Sequence, residues 1–194
     1  MSHALKVATY NIRKAVGLDQ RRNPARILSV LNEIDADIVA LQEVDRRFGA
    51  RVTALPLAML VADTPYVPVP LNFRPAAIGW HGNAILVRKG IEVRHCQPID
   101  MPTLEPRGAV MAELSVSGHS LRVIGVHLDL SGLWRRKQIR AILAAIDARP
   151  RHMPTVMMGD FNQWSDKGAL NELAFHHHRE IGRASCRERV CLYV

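Results

Sequence analysis

The sequence predicts a mixed α/β domain with two stacked β-sheets and helices on their outer sides. Three observations carry this. A strand–helix–strand pattern opens the chain, a run of strand candidates separated by turn-like spacers fills the middle, and a second helix followed by a strand comes after them. The 194 residues suit one domain, and 48% hydrophobic with 23% charged residues is an ordinary globular balance.

The elements follow in order. Residues 5–10 are β-rich, alternate, and end in the polar Asn11. Asn23-Pro24 reads as an N-cap followed by a proline in the first helical turn. Ile27, Leu28, Val30, Leu31 and Ile34 give that helix one apolar stripe at 3–4 spacing. The short apolar run 38–41 suits a strand covered on both faces, and it ends in Gln42-Glu43. Residues 53–60 predict a short helix interrupted at Pro56, and residues 66–69 an edge strand within a proline-rich passage.

Residues 84–87, 91–95, 110–116 and 121–127 are four strand candidates. The spacers Lys89-Gly90 and Ser117-Gly118-His119 predict antiparallel hairpins between them. A helix over 134–148 buries Ile139, Ile142, Leu143 and Ile146 and turns Arg135, Arg136, Lys137 and Arg140 outward. Residues 155–158 form the next strand, ending in Gly159-Asp160-Phe161-Asn162, and Ser165 caps a predicted third helix to about Phe175.

Composition narrows the function. No run approaches the roughly 18 apolar residues of a spanning helix, and the N-terminus shows no signal-peptide pattern. Three cysteines, Cys96, Cys186 and Cys191, form neither a disulfide framework nor a paired zinc motif, so the cytoplasm is the expected compartment. The net charge of +8 comes mostly from arginines, which bind phosphate in bidentate fashion, and favours a phosphate-bearing partner. Residues 180–194 lack strand or helix periodicity and resemble the conceptual translation of a sequencing adapter. The expected domain is therefore residues 1–179, with a non-native tail after it. That tail holds three arginines and two glutamates, so the remainder keeps +7.

Polar residues recur at the ends of apolar strands: Asn11, Glu43, His127, Asp160 and Asn162. Strand ends are rigid while the loops above them are open, so sites gather there. One carboxylate there can hold Mg²⁺, a second can orient a water, and an amide and an imidazole can donate to phosphate oxygens. These are the requirements of metal-assisted phosphoester hydrolysis. Consecutive His176, His177 and His178 cannot converge on one ion and read as a helix end. Trp134 and Trp164 suit stacking on a base or sugar, but packing against the sheets explains them as well.

In its motifs the chain resembles the endonuclease/exonuclease/phosphatase superfamily, whose members include DNase I-like nucleases, abasic-site endonucleases, neutral sphingomyelinases and inositol-phosphate phosphatases. Thr9-Tyr10-Asn11-Ile12-Arg13 is similar to the family's first strand, and Asp37 through Val44, reading DIVALQEV, to its metal-ligand strand. Gly82-Asn83-Ala84 and Arg107-Gly108-Ala109 resemble sheet segments of the family. Val126-His127-Leu128 resembles the strand with the active-site histidine, Arg135 through Gln138 the helix after it, and Gly159-Asp160-Phe161-Asn162 the strongest signature.

The resemblance implies a four-layer αββα sandwich of the DNase I-like type and a Mg²⁺-dependent phosphodiesterase, with Mn²⁺ as a substitute. It implies Glu43 and Asn11 at the metal, Asp160 positioning water, and Asn162 and His127 on the scissile phosphate. Arg107, Asn83 and Arg13 are weaker candidates for phosphate contact, since an ion pair or a turn would also explain them. The family's late strands, with a further aspartate and a Ser-Asp-His motif, find no counterpart here. The chain is accordingly expected to be weakly active or inactive, and marginally stable.

The expected substrate is nucleic acid, favoured over phospholipid by the charge, with inositol phosphates as another arginine-compatible class. No stable protein partner is expected, and the chain should be a monomer. A non-catalytic phosphate-binding module is the rival from another class. A lipid phosphodiesterase should present an exposed apolar loop, expected around residues 66–80.

Overall fold

Two β–α–β units organise the chain, and each delivers a pair of parallel strands whose C-terminal ends carry polar residues. The computed structural model describes residues 4–46, 52–71, 76–163 and 190–191. The first unit is β1 (Val7–Asn11), α1 (Pro24–Ile34) and β2 (Ile38–Gln42), in register from Val7 opposite Ile38 to Asn11 opposite Gln42. The helix begins as its sequence predicts, with the Asn23 side chain accepting from the Arg26 N–H at 3.2 Å. It stops at Asp35, which takes a left-handed conformation (φ 47°) and pairs with Arg88.

α2 (Leu57–Asp63) starts later than the pattern predicts. Pro56 stands just before its first turn, where a missing N–H costs nothing, instead of interrupting it. β3 (Tyr66–Pro68) is the expected edge strand, and β4 (Ala84–Arg88) pairs antiparallel with both β3 and β2. The next strands are β5 (Glu92–Ile99), β6 (Gly108–Val116) and β7 (His119–His127), an antiparallel meander. The chain then runs through α3 (Gly132–Asp147) to β8 (Thr155–Asp160), which lies parallel to β7.

The first sheet has the order β3-β4-β2-β1-β9, where β9 is Val190–Cys191, and the second has the order β5-β6-β7-β8. One hairpin expectation is corrected here. Lys89-Gly90 does not join paired strands; it carries the chain from one sheet to the other. Both edges of β4 are already taken by β2 and β3, so β5 finds its partner in β6. Val190 and Cys191 pair antiparallel with Tyr10 and Thr9, because β1 otherwise offers an open row of N–H and C=O groups. The predicted helix 165–175, Trp164, His176–His178 and Cys186 lie outside the described residues.

Packing shows the four layers. Val7, Ile38, Ala40, Ile85 and Val87 of one sheet meet Val110, Ala112, Leu114, Val123 and Met158 of the other in a shared core. On the outer face of the first sheet, Ala8, Tyr10, Val39, Leu41 and Leu86 cover the apolar side of α1 with α2. On the far side Met111, Ile124 and Val126 receive Ile139, Ile142 and Leu143 of α3. The order is α–β–β–α, as the family resemblance implies. Among the described residues no helix is long and apolar enough to cross a membrane.

Candidate active site

The parallel pairs β1–β2 and β7–β8 end at the same side of the sandwich, and β1 packs against β8. Residues remote in sequence therefore meet at the strand ends. The Asn11 amide nitrogen donates to Asp160 Oδ2 at 3.2 Å and to Glu43 Oε1 at 3.5 Å. His127 stands opposite Asp160 in the β7–β8 register, with Nε2 3.9 Å from Asp160 Oδ2. The backbone N–H of Arg13 donates to Asn11 Oδ1 at 3.1 Å, which turns the amide nitrogen toward the two carboxylates.

Local backbone chemistry sets these positions. Glu43 has φ 57°, an uncommon conformation for a side-chain-bearing residue, supported by a hydrogen bond from Lys14 N–H to its carbonyl at 3.0 Å. Gly159 precedes Asp160 with φ 149°, and a Cβ there would stand 1.9 Å from the Val126 carbonyl oxygen. Only glycine allows β8 to approach β7 this closely one residue before the aspartate. Asn162, with φ 49°, donates its backbone N–H to Asp160 Oδ1 at 3.1 Å.

Lys14 is the main cation at the first carboxylate. Its ammonium contacts Glu43 Oε2 directly. It reaches there because Arg13, Lys14 and Ala15 (φ 49°, 58° and 61°) turn left-handed after β1. Burial acts to raise the Glu43 carboxyl, but the Lys14 ammonium, with lesser help from His127 and Asn11, outweighs it and holds the group below its ordinary value. Lys14 was absent from the sequence candidates, and its signal was weak. No glycine marks the left-handed turn that delivers it.

The remaining candidates divide. Arg107 is buried, with Nη1 against the His127 ring (3.1 Å from Nδ1, and in contact with Nε2) and Nη2 3.2 Å from Glu105 Oε2. Arg13 is exposed and lines the cleft described below. Asn162 is buried, and its amide donates to the Leu128 carbonyl at 2.8 Å. Asn83 stands apart. It is 1% exposed, and its amide donates to the Gly108 carbonyl at 3.0 Å, tying the start of β4 to the start of β6.

Two openings flank these groups and share Glu43. A cleft of about 510 Å³ is bordered by Asn11, Arg13, Glu43, Asp160 and Asn162. A pocket of about 30 Å³, the room of a water or two, lies between Lys14, Glu43, Arg107 and His127. Behind them Gln138 is fully buried, accepting from Asp129 N–H at 2.9 Å and donating to the Pro102 carbonyl at 3.1 Å. It thereby fastens the β5–β6 loop, which carries Arg107, to α3.

The donor set suits a hard divalent cation. Glu43 and Asp160 supply carboxylate oxygens around one amide, and Glu43 already sits where a positive charge is required. Mg²⁺ takes one or two protein carboxylates and keeps several waters. The described residues hold no group of three or more His, Cys, Asp or Glu placed to cage a metal.

Comparison with known proteins agrees with the fold and its motifs. The family model described as Endonuclease/Exonuclease/phosphatase family matches residues 8–184. The protein YbhP of Escherichia coli strain K12 is 29% identical over 179 residues, covering 84% of this chain and 69% of that protein. Among solved structures, the D. rerio TDP2 complex with a single-strand DNA product superposes with a TM-score of 0.67 at 20% identity, covering 88% of this chain and 64% of that one. The human Nocturnin catalytic domain gives 0.66 at 19% identity, with coverage of 89% and 70%. Sphingomyelinase C from Streptomyces griseocarneus gives 0.62 at 21% identity, with coverage of 90% and 70%.

Proposed function

From the chain's membership of the endonuclease/exonuclease/phosphatase family, we propose Mg²⁺-dependent hydrolysis of phosphodiester bonds at the cleft between the strand ends. The family supports phosphoester hydrolysis as the chemistry. The observation that carries the finer reading is the convergence of Glu43, Asn11, Asp160 and His127 from four different strand ends.

In this reading Glu43 holds Mg²⁺, with Asn11 steadying it and Mn²⁺ able to substitute. The bound ion supplies Lewis-acid charge stabilisation at the phosphate. Asp160 accepts the proton of the attacking water and orients it, the role its acceptor-only carboxylate suits. His127, held between Asp160 and Arg107, donates to a non-bridging oxygen or to the leaving oxygen. Asn162 keeps the Asp160 turn in place through its backbone N–H and has a second amide hydrogen to offer the phosphate. Arg107 and the exposed Arg13 add positive charge at the two openings. Asn83 serves to join the sheets.

The charge of +8 points first to nucleic acid as substrate. A phospholipid headgroup is the second reading. It is favoured by one observation that charge does not explain, the exposed leucines of the β5–β6 loop and the β7–α3 connection (Leu104, Leu130 and Leu133). We place the protein in the cytoplasm, on its cysteine count, as a monomer, and read residues 180–194 as a non-native appendage to a domain spanning 1–179.

Turnover assays with Mg²⁺ on abasic DNA, plain duplex and phospholipid vesicles test the proposal, with Asp160→Asn as control. The expected result is metal-dependent turnover of at least one of them that falls about 100-fold or more in the Asp160→Asn protein. Equal turnover by the variant would overturn it. For a nuclease, affinity should also drop steeply with salt as counterions are released.

A further inference from the structure

We propose that the corner carrying Leu104, Leu130 and Leu133 docks on anionic phospholipid bilayers. Docking does not rest on the phosphodiesterase reading above.

The apolar loop is expected at residues 66–80, of which 72–75 lie outside the described residues. Among its described residues, Tyr66, Val69 and Ile78 are buried, and Val67, Leu71 and Trp80 are half-buried. Leu18 and Leu57 are exposed singly on separate segments, whereas three exposed leucines gather on two neighbouring ones: Leu104 in the β5–β6 loop is 62% exposed, Leu130 after β7 is 60%, and Leu133 in the first turn of α3 is 61%. Single exposed leucines are common on soluble proteins; several on one corner mark an interaction surface.

Hydrogen bonds bring the two segments together. Leu104 N–H donates to Asp129 Oδ2 at 3.4 Å, and Ser131 N–H donates to Asp129 Oδ1 at 3.1 Å. The Gln138 bridge to Pro102 and Asp129 closes the same junction. The leucines are thus presented by backbone that is held from within, and part of its polar demand is met before it meets lipid.

Charge then selects the bilayer. Leu133 is followed by Trp134, Arg135, Arg136 and Lys137, with Arg136 and Lys137 exposed. Lys137 Nζ lies 4.6 Å from the Trp134 ring centroid, a pairing of amphipathic side chains suited to headgroup depth. The nearby carboxylates are engaged: Glu105 faces Arg107, and Asp129 is buried on backbone N–H groups. An apolar centre with a cationic border binds an anionic bilayer by both terms, and a nucleic acid would use only the second.

The corner is also close in sequence to the smaller pocket, which Arg107 and His127 line. Leu104 precedes Arg107 by three residues, and Leu130 follows His127 by three.

The test is sedimentation of the 194-residue protein with sucrose-loaded vesicles of phosphatidylglycerol and phosphatidylcholine, and with vesicles of phosphatidylcholine alone. Two double variants are compared: Leu130→Ser with Leu133→Ser, and Arg136→Gln with Lys137→Gln. Retention on the anionic vesicles is expected. It should fall about tenfold or more in either variant, with unchanged melting temperature and unchanged duplex-DNA affinity in the leucine variant.

Three outcomes would overturn docking. One is no retention on anionic vesicles. Another is retention that survives the leucine substitutions. The third is a leucine variant that melts early or dissolves a dimer, showing that the chain itself covers the corner. Loss of Mg²⁺-dependent turnover on every substrate would overturn the phosphodiesterase reading and leave docking standing.

Discussion

Asn11 donates a hydrogen bond to Asp160 across 149 positions of sequence, at 3.2 Å. The bond joins the end of β1 to the end of β8, strands of different sheets, and so fixes how the two halves of the sandwich meet at the cleft. The same amide reaches Glu43, making Asn11 the common neighbour of both carboxylates.

Replacing Asn11 with Ala should therefore separate fold from chemistry. The side chain lies at the cleft and not in the core, so the melting temperature should stay within a few degrees. Loss of one preorganised donor typically lowers kcat about 100-fold. Steady-state kinetics on a soluble phosphodiester with Mg²⁺ would check this, and an unchanged kcat would remove Asn11 from the site.

Lys14→Met should change metal demand and acid stability in opposite senses. Without the ammonium on Glu43 Oε2, a cation faces less competition for that carboxylate. A partly buried pair worth about 1 kcal/mol corresponds to a roughly fivefold lower Mg²⁺ concentration for half-maximal turnover. The folded Glu43 carboxyl is held below its ordinary value, so its contribution is present above the unfolded pKa of about 4.3 and lost as pH falls through the depressed value. Removing Lys14 should make acid unfolding begin at higher pH, followed by circular dichroism.

Glu113→Ala should be costly and remote from catalysis. Glu113 Oε1 accepts from Arg122 Nη2 at 3.0 Å and from Arg149 Nε at 2.9 Å, and Arg122 is only 2% exposed. Truncation strands a buried guanidinium at a cost of about 3 kcal/mol, measurable by urea unfolding. Burial opposes ionisation of Glu113, but the two arginines override it and hold its carboxyl low. The wild-type protein should therefore lose this contribution only as pH falls below the ordinary glutamate range.

Gln138→Leu should affect both stability and rate. It strands the buried Asp129 N–H and the Pro102 carbonyl, each an unpaired polar group, for a total of about 2 kcal/mol. Because the loop it releases carries Arg107, kcat should also fall. Parallel urea melts and kinetics would separate the two effects.

Much of this was legible in the residues themselves. The Asn23 cap, the apolar stripe of α1 and the edge position of β3 each follow from local rules that the structure repeats. The strand-end residues were legible as well, because a polar residue closing a buried strand has few other reasons to be there. Three things were not. The destination of the chain after Lys89-Gly90 depends on which strand edges are vacant, a property of the assembled sheet. The left-handed turn at Arg13–Ala15 carries no glycine to announce it. Exposure of Leu104, Leu130 and Leu133 depends on what packs nearby, and hydrophobicity alone predicts the opposite.

The amino-acid pattern alone determined the strands and helices, their layered class and the polar residues that close the strands, since these depend on periodicity and on near neighbours. Tertiary structure decided which of those residues touch, that Lys14 neutralises Glu43, that Asn83 ties the sheets together, and which leucines face solvent. Such relations depend on how two sheets stack and where loops cross, and no local stretch of sequence contains that distance information.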